Sequence, residues 1–532
     1  MPSPVRIHFL LLLLPALFFG LSGPVSAQVT AFKQAVAEAA SRDADIAAFY
    51  KANGYESLWT GRSSRERQRR AALMKALANA DVHGLPAARY DADALVSRMA
   101  SVKTERERGA LEVALSKTFL EYARDMQTGV LVPSRVDRAI VRKVPYRDRT
   151  SYLTNFAKSS PNGFFRALPP GTKEYNALLK AKLQMERQLS RGGWGAEVPA
   201  KSLKPGASGN QVVALRNRLI AMGFMSRSNS QTYDAKLQAG VQQFQLAKGL
   251  TADGVAGPDT MTEINRGVAE RLQSVIVAME RERWLNKKRG KRHVLVNIPD
   301  FTAKIIDNGK VTFQTRSVVG ARQDDRPTPE FSDTMEFMVV NPSWYVPRSI
   351  VVKEYLPKLR SNPYAVRHIE ITDNRGRVVN RGAVNFAQYT ETTFPFAMRE
   401  PPSQGNALGL VKFMFPNPYN IYLHDTPAKK LFSREVRAYS HGCVRLADPF
   451  DFAYTLLARQ SRDPQGLFQS TLATGRETRV DLEQPVPVHL IYRTAFTTPK
   501  GQIHYRRDIY GRDARIWQSL NKAGVVLRSV QG

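Results

Sequence analysis

The chain has 532 residues, 43% hydrophobic and 23% charged, the balance of folded globular protein rather than of a disordered or fibrous one. At about 100–200 residues per domain, that length accommodates two to four domains. Its 78 Lys and Arg against 47 Asp and Glu give a net charge of +31, spread along the chain, which argues against a dedicated nucleic-acid arm and suits a carboxylate-rich polymer or an anionic membrane face.

In chain order, Arg6, an apolar run over 9–21 and the small-residue stretch SGPVSA ending at Ala27 have the layout of a secretory signal peptide over 1–27. The run is short and broken by Pro15 and Gly20, so a membrane span is disfavoured, and no later segment approaches about 20 apolar residues. The mature chain is expected to start near Gln28 and to be exported. Residues 28–202 read as helical: 29–59 up to Gly54, 65–85 ending at His83–Gly84, and 106–129 closed by Gly129. Their charged runs read as solvated helix faces, and the region holds no catalytic constellation.

Residues 203–267 change character. Val212, Leu215, Leu219 and Met222 mark an amphipathic helix before Gly223, and Val241, Phe244 and Leu246 a second before Gly249. A turn at Asp253–Gly254 leads to Pro258–Asp259–Thr260, the start of a third short helix. A linking helix is expected over 268–290. From 291 the period shifts to two, with a hairpin turn at Asp307–Asn308–Gly309. The pattern stays mainly β to about 495, with one helix after the cysteine.

That cysteine, Cys443, is the only one in the chain. In an exported protein a lone cysteine is a free reactive thiol, half of an intermolecular bridge, or a small inert core residue. A thiol nucleophile needs deprotonation, a base within hydrogen-bond reach and N–H donors aimed at the developing oxyanion. His424 stands at the end of an alternating run, Ile421–Tyr422–Leu423, before the turn Asp425–Thr426–Pro427. Gly442 lets the backbone approach a substrate, and the N–H groups of Gly442 and Cys443 are candidate oxyanion donors. Asp448–Pro449 reads as N-cap and first residue of the following helix. Arg445 is placed to hold a thiolate or a substrate carboxylate. A structural histidine and a surface arginine remain the plainer alternatives.

His424, fifteen intervening residues and then Ser440–His441–Gly442–Cys443–Val444–Arg445 resemble the signature of the L,D-transpeptidases, whose catalytic domain is called YkuD. Flanking pieces resemble it too: Arg326–Pro327–Thr328–Pro329, residues 341–350, 406–427 and 485–513. The three-helix stretch resembles a peptidoglycan-binding module, and with the helical front the chain resembles the large periplasmic type of the family. Many small members carry Asn where Arg445 stands.

The resemblance implies a multidomain α+β protein. It would comprise a helical scaffold (28–202), a peptidoglycan-binding-like module (203–267), a linking helix (268–290), a mainly-β catalytic domain (291–515) with a lid over about 349–405, and a tail (516–532). It implies Cys443 as nucleophile and His424 as its base, an oxyanion hole shaped by His441, Gly442 and Cys443, and a site lined by Tyr422, Ser440 and Arg445, with Trp344 and Tyr345 also along the cleft. It implies no cofactor and no metal, and peptidoglycan stem peptides, of the meso-diaminopimelate type, as partners in the periplasm of a Gram-negative bacterium. It further implies a carbapenem target active in cell-wall biogenesis and cell shape. The activity expected is 3→3 cross-linking through a cysteinyl thioester with release of D-alanine. Water or an amine of an outer-membrane protein are the alternative acceptors, and a noncatalytic wall-binding scaffold the alternative of another class. No nucleic-acid partner is expected.

Overall fold

The computed structural model describes residues 1–3, 30–323, 326–499 and 501–527; the signal segment expected over 1–27 lies almost wholly outside them. The stretch 29–59 holds two helices, Ala31–Ala40 and Ala44–Ala52, because Asp43 leaves the first and caps the second through the Ile46 N–H. Ser64–Ala78 and Glu105–Thr128 each open on a complete capping box, Ser63 with Glu66 and Thr104 with Glu107. Together they bury one core, in which Trp59, Phe119 and Phe156 pack ring against ring.

The expectation that charges in this half are solvated is corrected at several positions. Glu112 is fully buried, and its carboxylate accepts from the N–H groups of Leu58, Trp59 and Thr60 and from the Tyr50 hydroxyl. Lys182 pairs with Glu186 out of solvent. Helix Glu105–Thr128 lies inside the core, so a charge on an inner face persists only when hydrogen-bonded.

The three module helices, Asn210–Ala221, Ala235–Lys248 and Pro258–Asn265, close around Val212, Leu215, Leu219, Val241 and Phe244. The helix expected as a link, Val268–Trp284, is buried along most of its length. Its Arg281 bridges Glu330 of the sheet domain and Asp513 of the C-terminal helix. The expected tail is also corrected: Arg512–Lys522 is a helix whose Ile516 and Leu520 are wholly buried in the N-terminal helical core.

Among the described residues fourteen strands follow: β1 (Arg292–Asn297), β2 (Thr302–Asp307), β3 (Lys310–Gly320), β4 (Phe331–Val340), β5 (Trp344–Tyr345), β6 (Glu370–Thr372), β7 (Ala397–Glu400), β8 (Val411–Met414), β9 (Leu423–His424), β10 (Ala438–Ser440), β11 (Val444–Leu446), β12 (Thr478–Ile491), β13 (Ala495–Thr497) and β14 (Ile503–Tyr505). Nine form one sheet in the order β10-β3-β11-β9-β8-β4-β12-β1-β2, and a β2–β3 pairing closes it on itself. The β2–β3 turn is tight because Asn308 and Gly309 both take positive φ. β5, β7 and β6 make a separate small sheet, which with the helical stretch 348–361 encloses its own apolar cluster around Ile350, Leu356, Ile371 and Met398. The architecture is therefore mixed: a helical front, a small three-helix module and a large-sheet domain. Among the described residues no helix is long and apolar enough to cross a membrane.

Candidate active site

β10 and β11 are joined by three residues, His441, Gly442 and Cys443, so the thiol sits on a tight turn between two strands that both pair with β3. Gly442 has φ +113, a region that favours glycine, and a Cβ there would meet Ile421 Cδ1 at 3.1 Å. The turn is pinned from inside. Ser440 Oγ accepts from the Gly442 N–H at 3.2 Å and donates to the Cys443 carbonyl. Thr328 Oγ1, fully buried, donates to the Gly442 carbonyl at 2.7 Å and accepts from the Gly320 N–H at 2.8 Å. Gly320 is required by this packing, since a Cβ would fall 1.9 Å from the Arg326 carbonyl oxygen. Tyr510 completes the support by donating to the Gly320 carbonyl at 2.6 Å.

The Cys443 thiol is half-buried and free, and donates to the Asn420 carbonyl at 3.5 Å. Burial pushes its pKa up to about 11, opposed by the Tyr422 N–H and phenol that bond the sulfur and by the nearby Arg445 guanidinium. Burial and the neighbouring thiol push the Tyr422 phenol well up as well, while Trp344 hydrogen-bonds to it. Arg445 is largely withdrawn from solvent, its Nε has no hydrogen-bond partner, and among the described residues no carboxylate pairs with it.

β9 pairs in parallel with β11, with Val444 opposite Leu423 and Arg445 opposite His424. That register carries His424 one strand away from the thiol. Its ring is 3% exposed and packs edge-on against Tyr422 at 5.7 Å between centroids. Nδ1 lies 2.5 Å from the Asp425 carbonyl oxygen, which holds the proton on Nδ1 and leaves Nε2 as the basic atom. Burial, then the Arg445 charge, lowers its pKa to about 3, against the Asp425 and Leu408 carbonyls, which favour the protonated ring. Asp425 holds the Leu408 loop in place by accepting the Leu410 N–H at 2.9 Å. The thiol and the imidazole are thus both neutral at neutral pH. No hydrogen bond joins them among the described residues; Tyr422 touches both.

The other residues singled out in the sequence divide. Trp344 turns inward to Tyr422, whereas Tyr345, the next residue on the same strand, is 65% exposed, as alternation along a strand requires. His441 turns away from the thiol: its Nε2 lies 2.6 Å from Glu354 Oε1 in the segment 348–361, and Glu354 also pairs with Arg326 at 2.7 Å. The Gly442 N–H, one of the two donors singled out in the sequence, is engaged by Ser440. Asp448 does not cap the helix Pro449–Leu457 with its side chain; its carboxylate accepts instead from Thr315 Oγ1 at 2.8 Å, because β3 runs alongside. Sequence reasoning assigned no role to Glu354, Asn420 or Thr328, though Thr328 lay within a segment already marked by its resemblance.

Comparison with known proteins meets this geometry in the sheet domain. Residues 291–487 match the family model described as "L,D-transpeptidase catalytic domain", named YkuD. The chain carries a YkuD catalytic domain. Residues 44–181 match a "Scaffold domain" and 208–264 a "Putative peptidoglycan binding domain". A curated relative from Haemophilus influenzae, described as "Putative L,D-transpeptidase", is 33% identical over 225 residues. That match takes in 42% of this chain and 45% of the relative, so the chain spans about half the length of the relative it matches. Solved L,D-transpeptidase structures also align. One from Xylanimonas cellulosilytica is 15% identical, covering 56% of this chain and all of that one, with a TM-score of 0.17. One from Stackebrandtia nassauensis is 16% identical, covering 55% and 96%, with a TM-score of 0.22. At those scores the two structures add no argument.

Proposed function

We propose that this protein is an exported peptidoglycan L,D-transpeptidase that forms 3→3 cross-links between stem peptides. The observation that carries this reading is the pinned turn at Cys443 inside the YkuD-matching segment, with Tyr422 and Arg445 at the sulfur and a neutral imidazole on the adjoining strand.

Cys443 Sγ attacks the carbonyl carbon of the third stem residue, a meso-diaminopimelate in this reading, and His424 Nε2 takes the thiol proton. Tyr422 and Arg445 stabilise negative charge on sulfur as the proton leaves, and the Cys443 N–H faces the oxyanion. Contacts between nucleophile and base that are loose without substrate tighten when it binds. The carbon–nitrogen bond to the terminal D-alanine breaks, the leaving amine takes its proton from His424, and a thioester remains on Cys443. The side-chain amine of a second stem then attacks the thioester, giving the new amide and restoring the thiol. The segment 349–405 acts as a lid, with Glu354 fastening it to His441 and Arg326.

Purified disaccharide-tetrapeptides incubated with the protein should yield cross-linked dimers and free D-alanine, resolved by mass spectrometry. Cys443→Ala should yield neither. Equal dimer formation by both proteins would refute the assignment. Tripeptide products without dimers would make water the acceptor, and wall-bound protein would make it a protein amine.

A further inference from the structure

Away from the thiol, a cleft of about 1080 Å³ opens where the module, the scaffold and the sheet domain meet. Its floor is the outer face of β1, β2 and β3. One wall is the end of the module helix Ala235–Lys248, another the start of helix Lys173–Ser190, and a third the segment 432–437, which runs directly into β10 and the Cys443 turn. Among the described residues ten Lys and Arg line it against three carboxylates, and those three are already engaged: Asp300 with Arg506, Glu435 with Arg507, and Glu174 with the Thr497 N–H.

Among the described residues no carboxylate pairs with Lys173, Lys248, Lys304, Arg316 or Arg434. Lys248 is the telling one. It is 6% exposed, its ammonium lies 4.1 Å from the centre of the Tyr505 ring, and Arg271 and Arg506 add like charge beside it, opposed by Glu263. A buried ammonium against aromatic faces is costly, and the neighbouring Glu263 carboxylate, already paired with Arg271, offsets that cost only in part. The module is also fixed at this junction rather than tethered: Arg506 donates to the Ala247 carbonyl, the Thr251 N–H to Glu435, and Arg507 pairs with Asp259. The cleft is therefore a built wall-to-wall feature of the fold.

We propose that this cleft is a second peptidoglycan site, distinct from the thiol, that binds the carboxylates of stem peptides along a wall strand and holds that strand beside the segment leading to Cys443. The cations are spread over three domains, which suits carboxylates repeated along a polymer better than one compact anion. The inference rests on the reading of peptidoglycan as substrate.

The test uses the full chain carrying Cys443→Ala, so that no covalent capture contributes, and measures co-sedimentation with purified sacculi. Adding Lys304→Glu, Arg316→Glu and Arg434→Glu should weaken binding by about tenfold or more, and sacculi stripped of stems by an amidase should bind the parent equally weakly. The corresponding triple Gln variant, with an unchanged melting temperature, should show an intermediate loss and serves if the Glu variant misfolds. Sacculus binding unchanged by the substitutions, or unchanged by removal of the stems, would overturn the proposal. Tighter binding to phosphatidylglycerol vesicles than to sacculi would also overturn it, assigning the cleft to phosphate. Because binding is measured without turnover, a failed muropeptide assay and a failed cleft are separate results.

Discussion

Cys443 carries its proton at rest, and this decides how it responds to pH. Below its pKa the thiolate fraction rises tenfold per pH unit, and only the thiolate is alkylated. With burial holding the pKa near 11, the rate of iodoacetamide alkylation should climb without a plateau from pH 7 to pH 10. Saturation by pH 9 would show a thiol no harder to ionise than a free one. Tyr422→Phe removes a donor to sulfur and should slow alkylation at pH 8 by about three- to tenfold, since one such bond contributes about 1 kcal/mol. That a thiol, an arginine and a histidine share this neighbourhood was legible in the sequence, because Cys443, Arg445 and His424 stand close together along the chain. The bonding inside it was not. The Gly442 N–H is engaged by Ser440 and the Gly442 carbonyl by Thr328, more than a hundred residues away, and Asp448 is drawn off its helix by Thr315 on β3.

The turn and the small sheet act as elements rather than as single groups. Thr328→Val keeps the volume of the side chain but strands the Gly320 N–H and the Gly442 carbonyl, both buried. The expected cost is about 1–3 kcal/mol in urea unfolding, with a fall in cross-linking rate larger than the loss of folded protein explains. The segment 348–400 has its own apolar cluster, and Glu354 is one of its ties to the nucleophile turn, together with the Trp344–Tyr422 contact. Glu354→Ala should therefore raise the rate of limited proteolysis within 349–405 while leaving the melting temperature nearly unchanged. An unchanged cleavage rate would show that the ion pairs do not hold this element down. Strand period alone distinguishes Trp344 from Tyr345, one inward and one outward. Glu354 was not legible, since its partners Arg326 and His441 are brought to it only by the closed sheet.

At the scale of the molecule, the chain is tied together by its last helix and by the helix between module and sheet. The amphipathic pattern of Arg512–Lys522 can be read as helix, but nothing in it says that the N-terminal core 400 residues earlier is what it covers. Ile516→Ala or Leu520→Ala empties a fully buried site in that core and should cost about 2–5 kcal/mol, read as a loss of scaffold stability in thermal or urea unfolding. The charged central helix was likewise legible as a helix and not as a hub, because Arg281 finds Glu330 and Asp513 only in three dimensions. These ties join the sheet domain, which carries the Cys443 turn, to the helices around it. The central claim is that this thiol forms the acyl-enzyme. Intact-mass and peptide-level mass spectrometry after reaction with a disaccharide-tetrapeptide or a carbapenem tests it most directly. The account predicts a single covalent adduct on the peptide containing Cys443, absent in Cys443→Ala. An adduct on any other residue, or turnover that persists without Cys443, would contradict it.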